Sequence, residues 1–166
     1  MADHDQLLLH HALYQLEVRY WHDVDFNGGR GAHEFYVPDG LMVVGHNRFE
    51  GRETIREFYE WRERQAATAV SSVKTMRHLI NNLFVESSGE RTAKVYGIVS
   101  YYGSSARPPA AQPRPPMLVA DLDNECVLGE DDRWRFKSHV MRPVFMGRDA
   151  PLSIAVDTRR WAESRA

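Results

Sequence analysis

The chain has 166 residues, 43% of them hydrophobic and 27% charged, with a formal net charge of −2 at pH 7. This length and balance describe one globular domain with a full core, and the missing basic surplus excludes nucleic acid as the main partner. No apolar run approaches the ~18 residues of a membrane span. The start, Met1-Ala2-Asp3-His4-Asp5, lacks the basic and apolar regions of a secretory signal, and the single cysteine, Cys126, excludes an internal disulfide. The expectation is a cytoplasmic protein with neither membrane nor nucleic acid as partner.

Residues 3–25 read as one amphipathic helix. Asp3 and Gln6 have capping-box spacing, and Leu9, Leu13, Leu16, Tyr20 and Val24 recur every three or four residues. Gly28, Gly29 and Gly31 end it. A short second helix is expected over 31–36, running into a turn at Pro38-Asp39-Gly40. Leu41–Val44 and Arg48–Glu50 then form a small hairpin around Gly45-His46-Asn47. A third helix follows over 52–67, with Ile55, Phe58, Tyr59 and Arg62 on one face.

From Val73 the pattern changes to period two. Strands are expected over 73–86, 91–102, 117–128 and 133–145. Residues 103–116 hold five of the eight prolines and read as a stiff loop between the second and third of these strands. Residues 1–146 therefore form the domain and 147–166 a C-terminal tail. Helices first, then long strands, describe an α+β architecture.

The stretch Tyr20-Trp21-His22-Asp23-Val24-Asp25 carries more charge than a helix end needs. Carboxylates there oppose the helix dipole by roughly 0.3–1 kcal/mol, so Asp25 invites a search for a partner. The candidate is His78, in the middle of a predicted strand. A carboxylate that accepts one ring N–H holds the imidazole in a single tautomer, leaves the other nitrogen free as a base, and favours the imidazolium.

With this order of elements, Phe49-Glu50-Gly51-Arg52-Glu53-Thr54-Ile55, Arg77-His78-Leu79 with Asn81-Asn82, and Asp132-Arg133-Trp134-Arg135-Phe136 resemble motifs of the nuclear transport factor 2-like superfamily, particularly its SnoaL-like polyketide cyclase branch. The resemblance spans 7–145. It implies a cone-shaped, curved antiparallel sheet with three helices packed on its concave side, the cystatin-like arrangement. Within this fold the site pattern is similar to scytalone dehydratases and hexachlorocyclohexane dehydrochlorinases, which eliminate a small group from a ring. It implies Asp25 as orienter and His78 as general base. Tyr20 matches a tyrosine that bile-acid 7α-dehydratases place before that aspartate. The second histidine of scytalone dehydratase has no counterpart in 117–128, where Asp121 or Asp123 stands instead.

The expected function is thus a cofactor-independent lyase or isomerase acting on a small cyclic substrate. Tyr20, Tyr96 and Tyr101 are candidate hydrogen-bond donors, and Trp21, Phe84 and Met141 candidate apolar lining. Asp121 and His139 complete the substrate-binding candidates. No metal is expected, because His22 and Asp25 lack a third ligand at recognised spacing. The competing expectation is a non-catalytic ligand-binding or assembly subunit like the small subunits of aromatic-ring dioxygenases. In either case a homo-oligomer, dimer or trimer, is expected.

Overall fold

The computed structural model describes residues 2–68, 73–110 and 115–147. The element order is α1 (Ala2–Phe26), a 3-10 turn (Ala32–Phe35), β1 (Tyr36–Val44), β2 (Asn47–Glu50), α2 (Arg52–Thr68), β3 (Thr75–Gly89), β4 (Thr92–Ser104), β5 (Leu118–Leu128) and β6 (Trp134–Met146). The six strands form one curved sheet in the order β2-β1-β6-β5-β4-β3. The tail expected after 146 lies, beyond Gly147, outside the described residues, as does part of the proline-rich loop.

Three expectations are corrected. The described residues contain two α-helices, not three, because the segment after α1 closes into a single 3-10 turn. Four residues between Gly31 and the strand at Tyr36 leave no length for repeated α-type bonds. The sheet is mixed rather than antiparallel, since β1 runs parallel to β6. Pro38-Asp39-Gly40 is not a turn before the strand but a bulge inside β1, where the register to β6 shifts between Tyr36 and Leu41. Proline lacks the ladder donor, and an outward bulge accommodates that.

α1 packs on β3 and β6, and α2 on β1, β2 and the 3-10 turn. The apolar stripe of α1 is buried as its spacing predicts, with Leu13, Leu16, Tyr20, Trp21 and Val24 in the core beside Tyr36, Phe49, Ile55 and Phe136. Each such side chain contributes on the order of 1.5–3 kcal/mol. β4 alternates without a break: Ala93, Val95, Val99 and Tyr101 face inward, and Lys94, Tyr96, Ile98 and Tyr102 outward. β3 and β6 do not alternate cleanly. A bulge between Asn81 and Phe84, with Asn82 at φ 52°, switches the faces of β3. An irregularity opposite Glu125–Cys126 leaves both Phe136 and His139 inward on β6.

The turn between α1 and the 3-10 turn depends on backbone that only glycine adopts cheaply. Gly28 and Gly29 have φ of 70° and 81°. A Cβ on Gly28 would meet open space, whereas one on Gly29 would lie 2.1 Å from the Tyr59 ring. Gly28→Ala is expected to cost about 1 kcal/mol from backbone strain alone. Gly29→Ala is expected to cost about 2–4 kcal/mol, because overpacking adds to the strain. Urea-unfolding midpoints of the two variants measure the difference.

Candidate active site

α1 ends in two carboxylates, and they have separate tasks. Asp23 holds the following turn: Oδ1 accepts from Asn27 Nδ2 at 2.7 Å, and Oδ2 from the Gly31 N–H at 3.0 Å. Asp25, two residues on, points to a different side of the helix and meets β3. Its Oδ2 accepts the His78 backbone N–H at 2.7 Å, and its Oδ1 lies 2.6 Å from His78 Nδ1. β3 is the last strand of the sheet on this side, so its outer N–H groups lack a ladder partner, and Asp25 supplies one.

The two side chains are 5% and 11% exposed for Asp25 and His78. A carboxylate only accepts hydrogen bonds, so the neutral ring carries its proton on Nδ1 and its lone pair on Nε2. Nε2 makes no hydrogen bond among the described residues. Trp21 stacks on the ring at 4.2 Å between centroids and Tyr101 at 4.8 Å, with interplanar angles of 25° and 24°. His78 and Tyr101 are direct cross-strand partners, which explains the second contact.

Burial and charge pull the His78 pKa in opposite directions. Desolvation lowers it and is the larger effect; the hydrogen bond and charge of Asp25 raise it, while Arg62 and His139 lower it further. The net shift is downward: Asp25 raises the pKa as expected, but burial outweighs the carboxylate. The ring is neutral at neutral pH. Burial raises the Tyr101 phenol, which stays a donor.

Behind Trp21 lies a buried polar network. Glu17, on the same stripe of α1, is fully enclosed and accepts the Trp21 indole N–H at 3.1 Å and the Asn124 amide at 2.5 Å. Asn124 on β5 in turn accepts the Val140 N–H at 2.9 Å. His139, also fully enclosed, has Nδ1 3.2 Å from the Tyr36 hydroxyl. Its Nε2 lies 3.4 Å from Glu17 Oε2 without hydrogen-bond geometry. The Tyr36 hydroxyl donates to Tyr20 at 3.3 Å, and Tyr20 is 2.6 Å from the Tyr59 hydroxyl. Burial pushes the Tyr20 and Tyr36 phenols well above their ordinary values.

Of the sequence candidates, Asp25, His78, Trp21 and Tyr101 come together. Tyr20 and His139 belong to the network one layer behind, and Met141 is buried on β6. Phe84, Tyr96 and Asp121 lie on the opposite face of the sheet. Phe84 is 61% exposed and stacks on Tyr96, and Asp121 sits opposite Ile98 and Arg142 in the register. Asp123 faces outward as well and pairs with Arg142 at 2.5 Å. The β3 bulge is the reason Phe84 turns away from the side that His78 occupies.

Sequence reasoning missed Glu17 and Asn124. The signal for Glu17 was present, because Leu13, Glu17, Tyr20 and Val24 have spacings of four, three and four, placing a carboxylate at a core position. Asn124 carries no comparable mark. Among the described residues no group of three or more His, Cys, Asp or Glu side chains is arranged to hold a metal ion. No described helix is long and apolar enough to cross a membrane. An open depression of about 150 Å³, lined by Thr75, Met76, Arg77, Tyr102, Gly103, Ser104 and Ala110, lies where β3 begins and β4 ends.

This fold recurs among solved structures. The SnoaL-like domain model matches residues 5–140, and the chain belongs to that family. Among solved structures it is similar to a protein from Novosphingobium aromaticivorans DSM 12444 described provisionally as a scytalone dehydratase, with a TM-score of 0.70 at 19% identity, covering 89% of this chain and 91% of that one. It is similar to an NTF2-like protein with a cystatin-like fold from Novosphingobium aromaticivorans, with a TM-score of 0.68 at 17% identity, covering 92% of each. ActVI-ORFA from Streptomyces coelicolor gives a TM-score of 0.68 at 12% identity, covering 82% of this chain and 98% of that one. At these identities the likeness concerns the fold. No curated protein matches the chain.

Asn124 supplies the shortest donor to the enclosed Glu17 carboxylate and also takes up the Val140 N–H. Asn124→Leu is therefore expected to cost about 2–4 kcal/mol, since both groups lose a buried partner. Denaturant titration measures this loss. The Trp21 emission of the folded variant is expected to shift, because its indole N–H shares the same carboxylate.

Proposed function

We propose that this SnoaL-family chain is a cofactor-independent lyase or isomerase acting on a small cyclic, largely apolar substrate. Asp25 orients the base and balances its charge, and His78 removes the proton. The observation that carries this reading is the double contact of Asp25 with the ring and backbone of His78, at 2.6 and 2.7 Å, while Nε2 is left unbonded among the described residues.

The chemistry follows from that geometry. Nε2 takes a proton from a carbon next to an activating group, and the imidazolium so formed shares its Nδ1–H with the Asp25 carboxylate. Its proton then returns to the leaving group as water departs, or to another carbon in an isomerisation. The stacked rings of Trp21 and Tyr101 offer flat apolar surface beside the base, and the Tyr101 phenol is a donor for an oxygen on the ring. The downward shift of the His78 pKa suits a base that must be neutral before each turnover.

A second reading, a non-catalytic assembly subunit, draws on the exposed Leu79, Phe84, Val144 and Phe145. Large apolar side chains in the open mark association surfaces, and self-association as a homo-oligomer is compatible with both readings. Similarity to a Novosphingobium aromaticivorans protein described provisionally as an aromatic ring hydroxylase supports neither over the other, at 17% identity.

Screening cyclic hydroxy- and halo-substrates against wild type and variants separates the two. His78→Ala is expected to lose about two to four orders of magnitude in kcat/KM, and Asp25→Asn a smaller part of that. Activity equal to wild type in His78→Ala discards the base. The pH profile is a further test. Activity is expected to rise with pH to a plateau, with its midpoint below the ordinary histidine value of 6.5, because burial disfavours the charged ring. In Asp25→Asn the midpoint is expected to move lower still, since the group that raises it is gone. Stability carries the same sign: between the folded midpoint and 6.5 the unfolded chain binds more protons, so the fold gains stability as pH rises.

A further inference from the structure

Glu17, Trp21 and Asp25 follow one another along α1 at intervals of four residues, about one helical turn each. Asp25 meets the His78 ring directly, and Trp21 covers one face of it, 4.2 Å between centroids. Glu17 is one turn further back and fully enclosed, and its Oε2 accepts the Trp21 indole N–H at 3.1 Å. A leucine at this position would continue the apolar stripe without the desolvation cost of a carboxylate, so stability alone does not call for Glu17.

What Glu17 fixes is the posture of the indole. The N–H is the only polar group on that side chain, and Glu17 is its acceptor. Without an acceptor the donor stays unpaired in a dry layer or turns toward water, and turning takes the ring off His78. Glu17 is held in turn from the sheet: Oε1 accepts Asn124 Nδ2 at 2.5 Å. Asn124 cannot turn its amide without losing the Val140 N–H, which its Oδ1 accepts. The titratable and charged groups around the His78 ring are Asp25 from α1, Arg62 from α2, Tyr101 from β4 and His139 from β6. Desolvation outweighs them, and Trp21 is one of the two rings that enclose it.

Resting on the reading of His78 as base, we infer that Glu17 is a positioning residue for it, holding the Trp21 indole flat over the imidazole so that water stays off that face. Two carboxylates of one helix thus act on the same ring with opposite sign. Asp25 touches the ring and favours the imidazolium. Glu17 acts through Trp21, and the cover it keeps in place favours the neutral ring.

Histidine ring NMR on the full chain, with His78→Ala for assignment, reads the protonation midpoint of His78 without any substrate. In Glu17→Gln the amide has one acceptor oxygen and cannot serve both Trp21 and Asn124. The Trp21 indole N–H is expected to exchange with deuterium roughly tenfold faster or more, and the His78 midpoint to move up toward 6.5 as water reaches the ring. Loss of a nearby negative charge by itself would move that midpoint down, so the sign separates posture from charge. Trp21→Phe keeps the Glu17 carboxylate and removes the shared bond. Its midpoint is expected to rise as well, and adding Glu17→Gln to it to change nothing further. An unchanged or lowered midpoint in Glu17→Gln overturns the inference, as does a further rise in the double variant. If Glu17→Gln does not fold, Trp21→Phe decides, and an unmoved midpoint there overturns it. Failure of the base is read elsewhere, as unchanged turnover in His78→Ala, so the two readings fall separately.

Discussion

Everything at this site depends on how one aspartate spends its two oxygens. Asp25 binds the edge strand through the His78 backbone N–H and sets the imidazole through Nδ1. The first bond docks the end of α1 on β3; the second fixes the tautomer. Because both go to the same residue, helix position and ring orientation cannot vary independently. That coupling is a form of preorganisation: the imidazole is aimed by the same contact that closes the fold.

Two opposing forces meet on the ring, and their order matters. A carboxylate at 2.6 Å favours the imidazolium, but enclosure beside Trp21 and Tyr101 disfavours any charge and prevails. The result is a histidine that is oriented as in a tight ion pair yet rests neutral. For a base this combination is useful, since the partner charge stabilises the imidazolium only once a proton has arrived.

The layer behind the ring is unusually polar for a core. Glu17, Asn124, His139, Tyr36 and Tyr20 are all enclosed, and between them they join α1 to β1, β5 and β6. Such groups are costly to bury, and partners offset the cost only when nearly every donor is satisfied. Trp21 links this layer to the site, giving its indole N–H to Glu17 and its ring face to His78. The network therefore acts on the His78 ring through packing. Membership in the SnoaL-like family accounts for the scaffold, whereas the chemistry must be argued from these side chains, because one fold carries many activities.

Much of this was legible from the amino-acid order. Period and spacing located both helices, all six strands, the glycine-rich turn after α1 and a charge at a helix end that needed a partner. Local pattern reaches that far because helix and strand periods are written in neighbouring residues. Three things were decided only by the folded chain. The parallel pairing of β1 with β6 joins segments about a hundred residues apart, and nothing local records strand direction. The bulges in β3 and β6 reverse which side chains face inward, which sent Phe84 out and brought His139 in beside Phe136. The sign of the His78 pKa shift came from enclosure, a property of the whole packed molecule that no spacing of residues encodes.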